Sequence, residues 1–491
     1  MLLSSIIKTP SLQRAAADFL PRRSWDRTLI VAPLALLAIS CLLTAFVPPA
    51  DDEFYYWCWA QSLQWSYYDH PVMSALMIRA SGDLFGHSMF ALRFPACVTT
   101  AFVFGVILYL TRPRSLAWAL LVTPVFSLGS VIVTPDTPLL LFWAAYALWL
   151  VKAHEKLDAG GIPVRHWLLG GVLLGCGVLG KYTMALAVPA GFVSFLLAGN
   201  FRQWIRGYIL HGIVSFVVTL PILIFNIQND FAPILYQWKH AMGPSKGGLA
   251  KFGEFVGIQL VLFGTLPVVL LPWVLRNWKS FAADPRLRVC FALYALPFSF
   301  FLYKATQGHL EGNWALASYI TFWPLAAIWY EHVKDNRFWK WGAILGFAAP
   351  ALAVLVMTVH LIHPLPGFTP TSDRITRQSE KYELAAEMAA VWRAQPEQLP
   401  LFAETYQWVA LLRFHGIDAR QIDGLSRRSH FTQHPEVPSD VPKAFVLWEG
   451  PVPAAVRPGL NEPVKVTAFP LTVRGGTVTV FDLWRVERSK Q

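Results

Sequence analysis

Three consecutive carboxylates lie between the first two hydrophobic segments of this chain, in Ala50-Asp51-Asp52-Glu53-Phe54-Tyr55-Tyr56-Trp57, and the turn Tyr67-Tyr68-Asp69-His70-Pro71 follows. Ionised carboxylates beside a bilayer are costly to desolvate, so a membrane chain gains little structurally from keeping several together. Asp51, Asp52, Glu53 and Asp69 are the groups needed by a site that takes a proton from an acceptor and faces a membrane-bound substrate. The structural alternative is a solvated acidic loop edged with interfacial aromatic rings.

Other polar side chains stand at the ends of apolar runs. His70, Arg93, Lys181, Lys239, Lys246, Lys251 and Lys304 supply positive charge, and Asp136, Asn226, Asn229, His309, Glu311 and Asn313 lie beside expected helix ends. A general base together with several cations suits a reaction in which a phosphate leaves and a hydroxyl or amine attacks. Nucleotide donors are absent outside the cell, so the leaving group there would be a lipid phosphate. Each residue also has a plain structural use. Asp136 before Thr137-Pro138 reads as a helix N-cap, and Lys181 could snorkel to the interface. His70 could shape the turn before Pro71, Arg93 could anchor a span, and the lysines of the 239–251 loop could simply be solvated.

Those residues need a scaffold, and composition names it. The chain has 491 residues, 55% hydrophobic and only 14% charged, well below the roughly one quarter of soluble domains, so a polytopic α-helical membrane protein is expected. The net charge of +11 lies mostly in short loops between apolar runs, which argues for membrane topology and against nucleic acid. Residues 1–27 are basic and carry no small-residue cleavage site, so a cytoplasmic N-terminus and an uncleaved first span are expected. The five cysteines form neither Cys-x-x-Cys nor a ligand spacing with His, and no metal site or cofactor is expected. A divalent cation at the acidic loop is the one alternative.

About eleven spans are expected, near 28–47, 88–110, 116–133, 138–151, 167–180, 183–199, 208–225, 255–275, 289–303, 315–330 and 341–359. With the N-terminus inside, the cytoplasmic stretches carry nineteen Lys and Arg and the opposite side seven, up to residue 359. That bias puts the first outer loop, 48–87, on the non-cytoplasmic face, and an odd span count puts the C-terminus there too. The short turns Thr134-Pro135-Asp136-Thr137-Pro138 and Gly180-Lys181-Tyr182-Thr183 are expected to line a water-filled cavity.

Residues 28–362 thus read as the transmembrane domain and 363–491 as a small extracytoplasmic α/β domain. In the latter, Lys381–Glu387 has helical character, Ala444–Trp448 reads as a buried strand, and Thr472–Val478 reads as a hairpin with a Gly-Gly turn.

The order of motifs resembles the GT-C superfamily of polyprenyl-phosphate-sugar glycosyltransferases. Within it, the likeness is to bacterial relatives of the protein O-mannosyltransferases and of the lipid A aminoarabinose and galacturonic acid transferases. An Asp-Glu-x-Tyr-Tyr-Trp motif is matched by Asp52-Glu53-Phe54-Tyr55-Tyr56-Trp57, and an Asp-His-Pro-Pro turn by Asp69-His70-Pro71-Val72, with one Pro replaced. An Arg near a Pro is matched by Arg93 and Pro95, and a Pro-Asp-x-Pro turn by Pro135-Asp136-Thr137-Pro138. A Ser-Lys-Tyr-Thr turn becomes Gly180-Lys181-Tyr182-Thr183, while Asn226 and Asn313-Trp314 fit two later positions.

The resemblance implies an inverting sugar transfer from a polyprenyl phosphate at the periplasmic face of a bacterial inner membrane. Asp52 would be the general base with Glu53 or Asp69 assisting, and Asp51 leaves that assignment open by one position. His70, Arg93 and Lys181 would hold the donor phosphate, with Asp69, Asp136, Asn226 and Asn313 as further substrate contacts. The acceptor would be a lipid, a lipopolysaccharide or a protein. A transporter or flippase of a lipid-linked saccharide is the alternative, disfavoured because no inverted repeat is visible and the charges gather in outer loops. A hydrolase of lipid phosphates is a third reading.

Overall fold

The computed structural model describes residues 26–111, 114–243, 248–308 and 310–489. The basic residues before 26, Arg112, Lys246 and His309 lie outside the described residues. The chain divides into two compact units, one of residues up to Thr44 with Phe94–Val356, the other of Ala45–Arg93 with Met357–Gln491.

The first unit is helical. Among the described residues, four helices are long and apolar enough to cross a membrane, Met89–Leu110, Phe201–Gln228, Pro285–Ala305 and Arg337–Ile362. Thr28–Leu43, Val164–Val178, Tyr182–Ala198 and Leu266–Arg276 are shorter apolar helices. At the centre, Pro285–Ala305 and Leu316–Val333 pack on each other and on Asp136–Asp158, burying Trp143, Tyr294, Phe298, Phe322 and Trp323. Rings this large dominate core energetics through the area they remove from solvent.

Two expected spans are broken. Residues 116–133 form a one-turn helix Ser115–Trp118 and two 3-10 turns, Ala119–Val122 and Leu128–Val131. Pro124 contributes no N–H to a continuing helix, and its carbonyl takes the amide of Gly129 at 2.7 Å. The stretch 255–275 breaks at Gly264, whose φ of +82° ends Gly248–Phe263. There Thr265 N donates to Gly346 O at 3.0 Å, and a Cβ on Gly264 would meet that oxygen at 2.2 Å. Hydropathy sees an apolar run in both places and is blind to the backbone break.

The second unit joins distant pieces of chain. Helices Asp51–Gln61 and Met73–Phe85 pack with Arg374–Arg393, Tyr406–Phe414 and a five-stranded mixed sheet. Its strands are β1 (Leu401–Ala403), β2 (Ala419–Gln421), β3 (Lys443–Glu449), β4 (Val464–Val473) and β5 (Gly476–Glu487), in the order β2-β1-β3-β5-β4. The strand and hairpin expected from sequence are β3 and β4–β5. The turn itself is Arg474-Gly475, both at positive φ (54° and 74°), as a two-residue hairpin requires. Arg474 holds that conformation through an ion pair to buried Asp373 at 2.7 Å and a hydrogen bond to Leu365 O at 2.5 Å.

The expected boundary at residue 363 is therefore redrawn, since the first outer loop folds with the C-terminal region. The reason lies in its aromatic side chains, which had read as an interfacial belt. Phe54, Tyr55, Trp59 and Tyr67 are at most 1% exposed, with Phe54 against Phe414 at 4.9 Å and Tyr55 against Tyr406 at 4.7 Å.

The break at Gly264 yields a stability test. Gly264→Ala combines a left-handed φ with a backbone clash and should cost more than about 1 kcal/mol. A lowered melting temperature of the detergent-purified protein is expected, and an unchanged one would show that the break tolerates a side chain.

Candidate functional site

The acidic run is the start of a helix. Asp51, Asp52 and Glu53 occupy the first turn of Asp51–Gln61, where the helix dipole and unsatisfied amides favour negative charge. Glu53 reaches back to accept the amide of Ala50 at 2.9 Å. Its carboxylate also takes Arg93 Nε at 3.0 Å and a terminal guanidinium nitrogen at 2.7 Å, and both residues are fully buried. Arg93 donates further to Val47 O at 2.6 Å and Pro48 O at 2.9 Å. The pair braces the entry to the helix. Glu53 is thus bound in a fork-to-fork ion pair, and Arg93 faces a carboxylate and two carbonyls.

The other carboxylates meet side chains from the C-terminal region. Asp51 accepts from Lys381 Nζ at 2.5 Å and Gln378 Nε2 at 3.0 Å. Asp69 is buried and accepts from Tyr55 Oη at 2.6 Å and from Arg427 at 2.7 Å. Its turn is closed by Tyr67 N donating to His70 O at 3.1 Å, and the His70 ring lies edge-on to Tyr56 at 6.4 Å. Burial and the charge of Asp69 hold the Tyr55 phenol well above its usual pKa, so it stays a donor.

Asp52 differs from the rest. It is half-buried, and Oδ1 accepts the Tyr406 hydroxyl at 2.8 Å. Among the described residues no second donor hydrogen-bonds its carboxylate. Burial raises its pKa above the ordinary 3.8; Tyr406 and Arg427 pull it back, and the charges of Asp51 and Asp69 push it up. Tyr406 is itself raised, by burial and by Asp52, and remains protonated. Burial drives His430 down to about 4, so its ring is neutral beside this cluster.

A separate polar cluster sits in the helical unit. Asp136 begins helix Asp136–Asp158 after Pro135 at the N-cap position, and Thr134 Oγ1 accepts the Asp136 amide at 3.2 Å. The Asp136 carboxylate takes Lys181 Nζ at 2.8 and 2.9 Å and Asn313 Nδ2 at 2.5 Å. Asp136 and Lys181 are both buried, so neither the capping nor the snorkelling alternative holds. Asn226 stands apart from both clusters. Its Nδ2 donates to Ile222 O at 2.9 Å and its Oδ1 accepts Ile234 N at 3.0 Å, stitching two helices through the left-handed residues Asp230 and Phe231. Both halves of the amide are engaged in that turn.

Sequence reasoning missed Lys381, Tyr406, Arg427 and His430, which stand more than 300 residues from the carboxylates with no local motif to mark them. Among the described residues no group of three or more His, Cys, Asp or Glu side chains is placed to hold a metal ion.

The Glu53–Arg93 pair is testable as a brace. Removing one partner of a buried ion pair leaves a bare charge and costs about 3–5 kcal/mol. Arg93→Met should lower the melting temperature sharply, and Glu53→Gln in the same chain should restore part of it. Equal stability of Arg93→Met and the wild type would contradict the brace.

The chain is similar to several known glycosyltransferases. The family model of dolichyl-phosphate-mannose-protein mannosyltransferases matches residues 69–225. The chain is 26% identical over 350 residues to the lipid A galacturonosyltransferase RgtD of Rhizobium johnstonii, covering 69% of this chain and 72% of that one. It is 24% identical over 343 residues to the undecaprenyl phosphate-alpha-4-amino-4-deoxy-L-arabinose arabinosyl transferase of Pectobacterium carotovorum, covering 64% and 61%. The chain thus spans about three fifths of that second relative's length. The crystal structure of ArnT from Cupriavidus metallidurans bound to undecaprenyl phosphate shares the fold, with a TM-score of 0.62 at 13% identity over 93% of this chain and 98% of that one. Motif order, family match and fold agree in making the chain similar to glycosyltransferases of the GT-C superfamily.

Proposed function

We propose that the chain moves a sugar from a polyprenyl-phosphate donor to a lipid or lipopolysaccharide acceptor, with inversion at the anomeric carbon. The acceptor hydroxyl or amine forms the new bond as its proton passes to Asp52. The bond from the sugar to the phosphate breaks, and polyprenyl phosphate leaves with the electron pair. The observation that carries this reading is the isolation of Asp52 among carboxylates that each hold a cation. A carboxylate with one neutral donor and a raised pKa suits a general base better than one in an ion pair.

Lys181 is the cation proposed for the donor phosphate, with Asp136 and Asn313 orienting it. Asp69 serves Asp52 through the charges it gathers. The reading assigns no cofactor, since Asp51, Glu53 and Asp69 are compensated by side-chain cations. The lipid A named for the Rhizobium relative favours a lipid acceptor over a protein.

We place the reaction on the periplasmic face of a multi-pass inner-membrane protein with its N-terminus in the cytoplasm. The distribution of Lys and Arg supports that orientation. The first outer loop and the C-terminal region fold into one unit, which supports their lying on the same side whatever the number of spans.

Two outcomes are expected. In detergent, with a radiolabelled polyprenyl-phosphate sugar, Asp52→Asn should lose about two to four orders of magnitude in turnover while staying folded. Asp51→Asn should lose far less. The reverse ranking would move the base by one position, and activity in both would end the general-base account. Transfer without a sealed membrane also separates this reading from a flippase. Alkaline phosphatase fused after residue 491 should be active in cells, and an inactive but intact fusion would overturn the outward placement of the C-terminal region.

A further inference from the structure

Asp52 is held from outside its own segment. Tyr406 opens a helix whose apolar face packs on the acidic helix, with Phe414 on Phe54 and the Cys58 thiol 3.8 Å from Ala410 O. From there the Tyr406 hydroxyl reaches Oδ1 of Asp52. The Arg427 guanidinium lies 4.1 Å over the Tyr406 ring and donates to Asp69. Tyr55 closes the circuit, donating to Asp69 and receiving His430 N at 2.6 Å.

The loop carrying Arg427 is pinned independently of these contacts. Ser426 Oγ donates to Glu404 O at 2.6 Å, and Gln421 Nε2 donates to Ser426 Oγ at 2.9 Å and Arg427 O at 3.0 Å. A guanidinium stacked on an aromatic face and hydrogen-bonded to a carboxylate is fixed in two directions. Arg427 therefore holds the ring of Tyr406, and Tyr406 engages Oδ1 of the Asp52 carboxylate.

We propose that Tyr406 and Arg427 are positioning residues for Asp52, so that the C-terminal region completes the proton-accepting site. This deepens the glycosyl-transfer reading and rests on it. The groups that act on Asp52 are Asp51 on its own helix, Asp69 in the following turn, Tyr406 on the helix packed against it, and Arg427 in the pinned loop.

The sign of the effect follows from the chemistry. A hydroxyl donating to an ionised carboxylate favours the ionised form, and so does a neighbouring cation. Losing either makes Asp52 easier to protonate. Tyr406→Phe should move the acid limb of kcat/KM upward by about one pH unit. Arg427→Gln should move it in the same direction, and Arg427→Lys should bring it part of the way back. A merely structural role would lower activity at all pH values and leave the limb in place. The full-length variants, matched for melting temperature, are assayed with labelled polyprenyl-phosphate sugar from acid to neutral pH. An unmoved limb in Tyr406→Phe overturns the proposal; if that variant fails to fold, an unmoved limb in Arg427→Gln does so. Inactive Asp52→Asn with unmoved limbs would defeat the positioning role alone. Active Asp52→Asn would instead defeat the underlying function.

Discussion

Charge pairing around one helix N-terminus is the constraint on which the second unit depends. Asp51, Glu53 and Asp69 each hold a cation, respectively Lys381, Arg93 and Arg427. Asp52 has only a phenol. Carboxylates packed this closely repel one another, and desolvation adds to the penalty, so an unpaired arrangement would protonate or unfold. The fold answers with three ion pairs and leaves one carboxylate under tension. That residual negative charge, half-buried and short of donors, is the part able to do proton chemistry.

Supplying those cations dictates the architecture. Arg93 stands at the start of a long helix, while Lys381 and Arg427 come from beyond the last apolar helix. Closing so long a loop is costly in chain entropy, although that cost grows only slowly with length. The buried aromatic core of Phe54, Tyr55, Trp59 and Tyr67 offsets it. Packing and electrostatics thus act on the same contact surface, the helix Asp51–Gln61 on one side and Tyr406–Phe414 on the other. In the helical unit the same rule recurs on a smaller scale, with Lys181 and Asn313 converging on Asp136.

Much of the fold could be read from local pattern. Apolar runs marked the long helices, the short continuous apolar run at Ala444–Trp448 marked β3, and the glycines after Arg474 marked the β4–β5 hairpin. Asp136, Lys181 and Asn313 were each singled out from turn motifs, and the structure brings them together. What escaped was non-local. A run of three carboxylates looks the same whether its partners are water or an arginine forty residues away. Tyr406 and Arg427 sit in sequence of ordinary polarity, and only the packing of a distant helix gives them a role. The broken stretches 116–133 and 255–275 escaped for the opposite reason, because hydropathy averages over the one proline or glycine that decides the backbone.

The central claim is that Asp52 is the carboxylate left able to take a proton. Infrared difference titration of the purified protein measures this without turnover, since a carboxylic acid and a carboxylate absorb separately. A protonated carboxyl band is predicted to persist above the ordinary aspartate range, to vanish in Asp52→Asn and to survive in Asp51→Asn. A band that survives in Asp52→Asn and vanishes in Asp51→Asn would contradict the account.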